Sequence, residues 1–379
     1  MIIACISASR VPSTAANSMQ VMKASQAIGQ LGHEVHLILP KHTSQPNDID
    51  LVSYYGLQKP FPIEFFPSQP QLNRYDFAWR AVRKARQIKA DLTYIWLVQA
   101  GIFSLLAHLP VVFELHGPPE GKFGPTLFRL FRKIPGKKRL LPITAALAGQ
   151  LHDGYGIDIN NQQLVRTAPN GVDLERYENI PEATAARALL GLPDTLTIGY
   201  TGHLYAGRGM NLLMELARCF PRLSFVWVGG REQDIAIWKK RLADENIVNI
   251  TLTGFVENCQ LPFYQAAADI LLMPYEKVIA GSSGGDSTSY ASPMKMFEYM
   301  ASRRAIISSD LPVIREVLNS GNAMLCPPDD IEVWSQALGS LIYDEEKRQS
   351  LAEQAWRDIQ QYTWLERARK ALDGFIKPQ

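Results

Sequence analysis

The sequence lacks most of the features that would settle its class quickly. Its four cysteines, Cys5, Cys219, Cys259 and Cys326, are far apart and show no paired spacing. That excludes a disulfide framework and a cysteine zinc site, and points to a reduced, cytoplasmic protein. Cys5 and Cys219 sit in apolar surroundings and read as buried hydrophobes. An excess of one charge is missing too. The 39 Lys and Arg against 37 Asp and Glu leave a net charge of +2, too little for a protein built around nucleic acid. No repeat or low-complexity tract stands out. The N-terminal MIIACISASRVP has no basic leader before its apolar run and reads as a first strand, not a signal peptide. One long uncharged run, residues 92–113, is broken by Gln99-Ala100-Gly101, His108 and Pro110. It parses as strand, short helix and strand better than as a membrane span, because strands buried on both faces also read as continuous apolar runs.

What is present is a long, ordinary globular composition. The chain has 379 residues, 46% hydrophobic and 20% charged. That is too long for one typical core, so two domains are expected. The first half alternates: strand IIACIS, helix MQVMKASQAIGQLG closed by Gly32, and strand EVHLILP. This is a βαβ unit, which implies a parallel sheet. A helix RYDFAWRAVRKARQIK, the strand–helix–strand above, the helix KFGPTLFRLFRK, the strand LLPIT and the helix AALAGQLHDGYG follow. APNGVDLERYENIPEATAARALLGLPD reads as turns and polar linker, placing the boundary near residues 170–190. The pattern then restarts with strands TLTIGYTG, LSFVWVGG, ITLTG, DILLMPY, AIISSD and AMLCPP. Helices stand between them, including one at VIREVLNSG, and everything after Asp329 reads as helix. The fold expected is α/β: two Rossmann-like doubly wound parallel-sheet domains facing across a cleft. Their expected extents are 1–175 and 190–358, with a C-terminal helix at 359–379 that crosses back to the first domain. Three strands of the second half end in Gly or Gly-Gly, where ligands bind in open parallel sheets.

The stretch 281–310, GSSGGDSTSYASPMKMFEYMASRRAIISSD, is the most informative. A Gly/Ser loop running into a helix leaves backbone N–H groups and the positive end of the helix dipole for an anion. Lys295 adds a cation one turn in. Glu298, on the same face, can accept hydrogen bonds from two hydroxyls of a sugar. Donors for a diphosphate and an acceptor for a ribose together describe a nucleotide sugar. An ordinary surface helix with an i, i+3 ion pair is the competing reading.

Several motifs fall into the order of one family. They are LGHEV after the first helix, FELHG at 113–117, PNGVDLERY at 169–177 and YTGHLYAGRG at 200–209. GF with LPFYQAAADILLMPY at 254–275 and SPMKMFEYMASRRAIISSDLPVIREVL at 292–318 complete the set. In order and spacing, over nearly the whole length, the chain resembles the retaining glycosyltransferases of family 4, which have the GT-B fold. The resemblance implies transfer of a sugar from a nucleotide-diphosphate donor to an acceptor hydroxyl with retention of anomeric configuration. It also implies that the donor lies mainly against the C-terminal domain.

Roles follow residue by residue. Gly202 ends a strand and, lacking a side chain, would let backbone approach the diphosphate. The family's Arg and Lys beyond it are here His203 and Arg208. Arg208 keeps a cation suited to phosphate; His203 could donate a hydrogen bond, its charge at neutral pH being open. Arg208, Lys295 and the helix N-terminus around Ser292, Pro293 and Met294 would stabilise the departing diphosphate. No metal or cofactor is expected beyond the nucleotide sugar itself, the chain being read as lacking the D-x-D pair of a metal-dependent sugar transferase. Glu298 matches the family glutamate that binds ribose. The partner glutamate eight positions earlier is replaced by Tyr290, and Asp286, Ser292 or backbone N–H groups could substitute. His116 matches the histidine that reaches the donor sugar from the N-terminal domain. Glu114, two residues back on the same side of the strand, either orients it or is buried with another partner. Asn17 and Ser18 occupy the loop that approaches donor phosphates, and Val256 lies near the base.

The acceptor is expected on the N-terminal domain. From Lys122 to Leu141 the chain carries seven cations, Lys122, Arg129, Arg132, Lys133, Lys137, Lys138 and Arg139, and no acid. With Phe123, Leu127, Phe128, Leu130 and Phe131 interleaved, this suits an anionic membrane surface or a lipid-linked acceptor. A core-packed helix with a solvated basic face is the alternative. The partners expected are a nucleotide sugar, an acceptor glycan, lipid or small molecule, and peripheral contact with the inner face of a membrane, with no nucleic acid. Two other functions share the architecture: a sugar-nucleotide epimerase, and a non-catalytic nucleotide-sugar-binding protein.

Overall fold

The computed structural model describes residues 1–42, 49–279 and 286–375. The chain divides into two compact units: Met1–Asn170 with Trp364–Gln379, and Gly171–Thr363. In the first the order is β1 (Ile2–Ile6), α1 (Ala16–Gln30), β2 (Glu34–Pro40), α2 (Leu51–Tyr55), β3 (Ile63–Phe66), α3 (Tyr75–Gln87), β4 (Leu92–Ile95), α4 (Val98–Leu106), β5 (Val111–Leu115), α5 (Gly124–Lys133), β6 (Lys138–Pro142) and α6 (Ala145–Tyr155). The second holds α7 (Ala183–Leu190), β7 (Thr197–Thr201), α8 (Met210–Cys219), β8 (Ser224–Val228), α9 (Glu232–Asp244), β9 (Ile250–Gly254), α10 (Leu261–Ala267), β10 (Ile270–Met273), α11 (Met294–Ala301), β11 (Ala305–Ser309), β12 (Met324–Cys326), α12 (Ile331–Tyr343) and α13 (Glu345–Ile359). The last helix, α14 (Trp364–Leu372), belongs to the first unit.

Both sheets are parallel and six-stranded, ordered β3-β2-β1-β4-β5-β6 and β12-β11-β10-β7-β8-β9. Each is the doubly wound order, which reverses once, between β1 and β4 and between β7 and β10. Helices cover both faces, so β4, β5, β7, β8, β10 and β11 are buried along their whole length. That burial is why their sequences read as unbroken apolar runs. The core of the second unit is built on Trp227 and Trp334, with Phe225, Leu216 and Leu338 around them. No described helix is long and apolar enough to cross a membrane.

Several local expectations are corrected. VIREVLNSG is not a helix but a run of turns over 312–317. Asparagine side chains take the backbone groups there: Asn319 N–H donates to Asn322 Oδ1, and Asn322 Nδ2 donates to the Val317 carbonyl. Such local bonds compete with a helical ladder. The helical tail breaks at Asp344, whose carboxylate accepts from the Lys347 N–H and starts α13. α2 and β3 were not anticipated. Cys219 is exposed, because it ends α8 on the side away from the core; Cys5 is buried. Asp48-Ile49-Asp50 does form a D-x-D triplet. Asp48 lies outside the described residues, and the Asp50 carboxylate caps α2 through the N–H groups of Val52 and Ser53. In the basic stretch, Arg139 is fully buried and donates to the carbonyls of Ala371 and Asp373. Lys138 donates to the carbonyls of Phe131, Arg132 and Ile134 at the end of α5. Neither faces solvent as a free basic residue.

The segment read as linker contains α7, and one buried arginine ties it to the second sheet. Arg187 Nη1 donates to the Ala267 carbonyl and to Asp269 Oδ2 at 3.0 Å, while Nη2 meets Asp194 at 3.2 Å. Asp269 Oδ2 also accepts from the Thr197 N–H at 2.7 Å, at the start of β7. Removing the guanidinium strands a half-buried carboxylate beside the sheet. Arg187→Ala is therefore expected to lose about 2–3 kcal/mol of stability in urea unfolding; a loss below about 0.5 kcal/mol would show that the pair contributes nothing net.

Candidate functional site

In the second unit, the order reversal places the ends of β7 and β10 side by side, and four segments converge there. The chain leaves β7 through Gly202, whose φ is +137° and whose N–H donates to the Val228 carbonyl at 2.8 Å. Gly229, after β8, packs so closely that a Cβ on it would lie 2.5 Å from the Gly202 oxygen. The loop then turns through Gly207 and Gly209, at φ +84° and +69°, with Arg208 between them. A Cβ at Gly209 would sit 1.8 Å from the Pro274 oxygen, so the start of α8 meets the end of β10 backbone to backbone. Trp238 Nε1 donates to the Leu204 carbonyl at 3.0 Å and pins the loop from beneath.

Two cations stand in this frame, each against tyrosine rings. Lys295 Nζ lies 4.0 Å from the Tyr200 ring centre and 5.5 Å from that of Tyr275. It also lies 2.7 Å from where a Cβ on Gly202 would be. The missing side chain at Gly202 thus makes room for the ammonium. The Arg208 guanidinium is 4.9 Å from the Tyr205 ring and 5.1 Å from that of Tyr275, and Nη2 donates to the Tyr205 hydroxyl at 2.8 Å. Burial, then the neighbouring Arg208, push the Lys295 ammonium well below its ordinary range against the pull of Glu298. Burial opposes the charge on Arg208 as well, but Tyr275, Tyr205 and Tyr200 hold it a firm cation. His203 stacks on Tyr205 at 5.1 Å, and its carbonyl accepts from the Tyr200 hydroxyl at 2.6 Å. Burial, then Arg208 and Lys295, lower its ring to about 4. That direction favours an uncharged ring at neutral pH.

α11 begins beside these cations. Pro293 is its N-cap and no side chain caps the first turn. Ser292 is buried, Pro293 and Met294 are partly buried, and Glu298 follows Lys295 by one turn. The Tyr299 hydroxyl accepts from the Thr201 N–H at 2.8 Å, fixing α11 against the end of β7. The structure therefore brings Gly202, His203, Arg208, Lys295 and the start of α11 to one place. Val256 lies two residues beyond the end of β9, partly buried. Asp286 is exposed, and its carboxylate accepts from the Thr288 N–H at 2.8 Å and from the Thr288 hydroxyl. The Gly/Ser loop at 281–285 lies outside the described residues. Tyr200, Tyr205 and Tyr275 were not singled out from sequence. Nothing in their spacing distinguishes them from core tyrosines.

In the first unit, His116 follows β5 and meets Glu114 through Nε2 at 2.5 Å. Asn17 is exposed. Ser18 is fully buried, its hydroxyl donating to the carbonyls of Ser13 and Ala15 at the start of α1. Among the described residues no cluster of three His, Cys, Asp or Glu could hold a metal ion.

The chain is similar to known proteins over most of its length. Residues 18–176 match the model of Glycosyltransferase Family 4, and residues 195–344 that of Glycosyl transferases group 1. The chain is 26% identical over 258 residues to a D-inositol 3-phosphate glycosyltransferase of Kineococcus radiotolerans, covering 64% of this chain and 58% of that one. It is 24% identical over 363 residues to a phosphatidyl-myo-inositol mannosyltransferase of Mycolicibacterium smegmatis, covering 91% and 85%. Among solved structures, HepE of Anabaena in complex with UDP superposes with a TM-score of 0.73 over 98% of both chains at 19% identity, a likeness of fold.

The lowered pKa of His203 has a consequence for stability. Between the ordinary value of 6.5 and about 4, the unfolded chain takes up a proton that the folded ring refuses. Stability therefore falls as pH drops through that window. His203→Gln is expected to flatten the fall in Tm between pH 6.5 and pH 4 relative to the parent; equal slopes would show that the ring titrates normally.

Proposed function

The chain belongs to the family 4 glycosyltransferases and has the GT-B fold, and from that premise we propose that it transfers a sugar from a nucleoside-diphosphate donor to an acceptor hydroxyl with retention of configuration. The observation that carries the reading is the pair of cations, Arg208 and Lys295, held against tyrosine rings where β7 and β10 diverge and α11 begins. Breaking the glycosidic bond puts negative charge on the diphosphate. Preorganised cations and helix N–H groups in a poorly solvated site lower that barrier. They supply the positive charge that a metal ion supplies in other sugar transferases. Glu298, one turn along α11, is suited to two hydroxyls of a ribose, and Val256 stands where backbone could read a base. HepE, which shares the fold, was solved in complex with UDP, and that supports a nucleotide donor.

Retention fits the same chemistry. No carboxylate of the assembled site stands out as a nucleophile for a double displacement. The acceptor hydroxyl would attack on the face the diphosphate leaves, handing its proton to a departing phosphate oxygen. Replacing Lys295 by Ala is expected to lower kcat by about 10²–10³-fold. The assay is a panel of labelled UDP-, GDP- and ADP-sugars with polyol and lipid-linked acceptors. Free nucleotide with a glycosylated acceptor supports transfer. An isomeric nucleotide sugar would mean epimerisation, and an unchanged bound donor would mean a binding module.

A lipid-linked acceptor at the inner face of a membrane suits the exposed side of α5. Phe128 and Phe131 are wholly buried against Phe113 and so belong to the core. Phe123 and Leu130 are 57% and 47% exposed among Lys122, Arg129, Arg132, Lys133 and Lys137. Arg129, Arg132, Lys133, Gly154 and Tyr155 line a depression of about 390 Å³. Cations around an open hollow with apolar side chains beside it match a phospholipid surface. The protein is expected to co-sediment with vesicles containing anionic phospholipid and to be released by salt; equal sedimentation with neutral vesicles would refute the contact.

A further inference from the structure

The first unit contains a charged network that the proposed chemistry does not use. Glu114, on β5, is fully buried and has ligands on both oxygens. Oε1 meets His116 Nε2 at 2.5 Å. Oε2 accepts from the Tyr94 hydroxyl at 2.5 Å and from Arg367 Nη1 at 2.8 Å. Arg367 lies on α14, 253 residues further along the chain, with its side chain 4% exposed. Its Nη1 also donates to the Tyr94 oxygen at 3.1 Å, and its Nε donates to the carbonyls of Ala168 and Pro169 at 3.2 and 2.9 Å. His116 ends the chain of contacts, with its side chain 26% exposed.

Stability does not explain this arrangement well. Burying a carboxylate and a guanidinium costs several kcal/mol per ion, and well-packed apolar residues in their place are often as stable or more so. The network does impose one chemical state on the exposed end. Burial raises the Glu114 carboxyl, but Arg367 and the bond from His116 overcome that and hold it well below the usual carboxylate range. An ionised carboxylate only accepts. His116 must therefore carry a proton on Nε2, which leaves Nδ1 as the ring atom for a ligand. In the neutral ring Nδ1 is a hydrogen-bond acceptor.

We infer that Arg367 and Tyr94 are positioning residues which, through Glu114, lock His116 in the Nε2–H tautomer so that Nδ1 accepts a hydrogen bond from a substrate hydroxyl. This rests on the proposed glycosyl transfer. Arg367 acts at a distance from the substrate, as a carboxylate behind a metal-bound histidine does. A hydroxyl donating to Nδ1 would be fixed in direction, which selects a substrate whose hydroxyl can reach that lone pair.

The test reads the ring and the reaction separately. Long-range ¹H–¹⁵N spectra of histidine-labelled protein, with His116 assigned by loss of its signal in His116→Gln, report the tautomer directly. The parent is expected to show Nε2–H at neutral pH. Tyr94→Phe removes one donor to Glu114 with little change of shape. The double variant Glu114→Gln with Arg367→Met removes both charges together, avoiding the uncompensated ion that either single change would bury. In the double variant His116 is expected to populate the Nδ1–H form and kcat to fall about 10–100-fold, with nucleotide affinity in the second unit unchanged. Tyr94→Phe should lie between. A parent ring with Nδ1–H overturns the inference whatever the activity. So does a double variant that keeps Nε2–H, or one that changes tautomer while keeping kcat. If the parent transfers no sugar from any donor, the transferase reading fails on its own and with it the assignment of a substrate hydroxyl to Nδ1.

Discussion

Each sheet changes direction of growth once, and in the second unit the two cations stand where it does. A parallel strand must be followed by a crossover, and the crossovers to either side of the reversal diverge, leaving a gap above the carboxyl ends of the two central strands. In the second unit that gap lies between β7 and β10. It can be lined closely because the segments around it give up side chains. Gly202 yields its place to an ammonium, and Gly209 and Gly229 let backbone press on backbone. A methyl group at any of the three collides within the same few ångströms. The glycines are thus a steric condition for the arrangement of the cations, more than a means of making the loop flexible.

The same gap is electrostatically incomplete. Arg208 weakens the case for charge on Lys295, and burial opposes the charge on both. Tyrosine faces return about 0.5–2 kcal/mol per contact. Withdrawing a cation from water costs several. The rings therefore position the cations and offset part of the cost. A neutral His203 fits this balance, since a third positive charge beside the other two would be carried at the expense of the fold. Where the family places Arg, this chain has an uncharged ring stacked on Tyr205, so the pair Lys295 and Arg208 carries the charge.

What was legible in the sequence follows physical causes. The parallel sheets were readable because strands covered on both faces have no polar alternation to hide them, as in VVFEL, SFVWV and ILLM. Gly32 and Gly156 mark helix ends because the left-handed backbone there favours glycine. The failures have causes as well. VIREVLNSG has helical spacing, but Asn319 and Asn322 bind its backbone locally, and spacing does not register that competition. α7 was lost in a polar segment because its anchor, Arg187, pairs with Asp269, which is 82 residues away. Of the residues that meet here, Lys295 was singled out from loop and helix chemistry, and Gly202 and Arg208 from the resemblance. The tyrosines against them, and the link from Arg367 to Glu114, depend on contacts between distant segments, which no local pattern encodes.

Arg139 and Arg367 show why the chain returns to its first unit at the end. Arg139, at the edge strand β6, is buried and pulled down to about 10, first by burial and then by Arg166. Its guanidinium is satisfied by carbonyls of Ala371 and Asp373 and by the ring of Phe375 at 4.9 Å. Arg367 runs the opposite way, from α14 to Glu114 on β5. One charge is thus lent by the sheet to the helix and another by the helix to the sheet. A chain ending at Thr363 would leave Glu114 buried without its cation and Arg139 without those acceptors. Each defect is of the kind that costs more than the intact contact contributes. Helix α14 is therefore part of the first unit's electrostatics, and Glu114 links its Arg367 to His116.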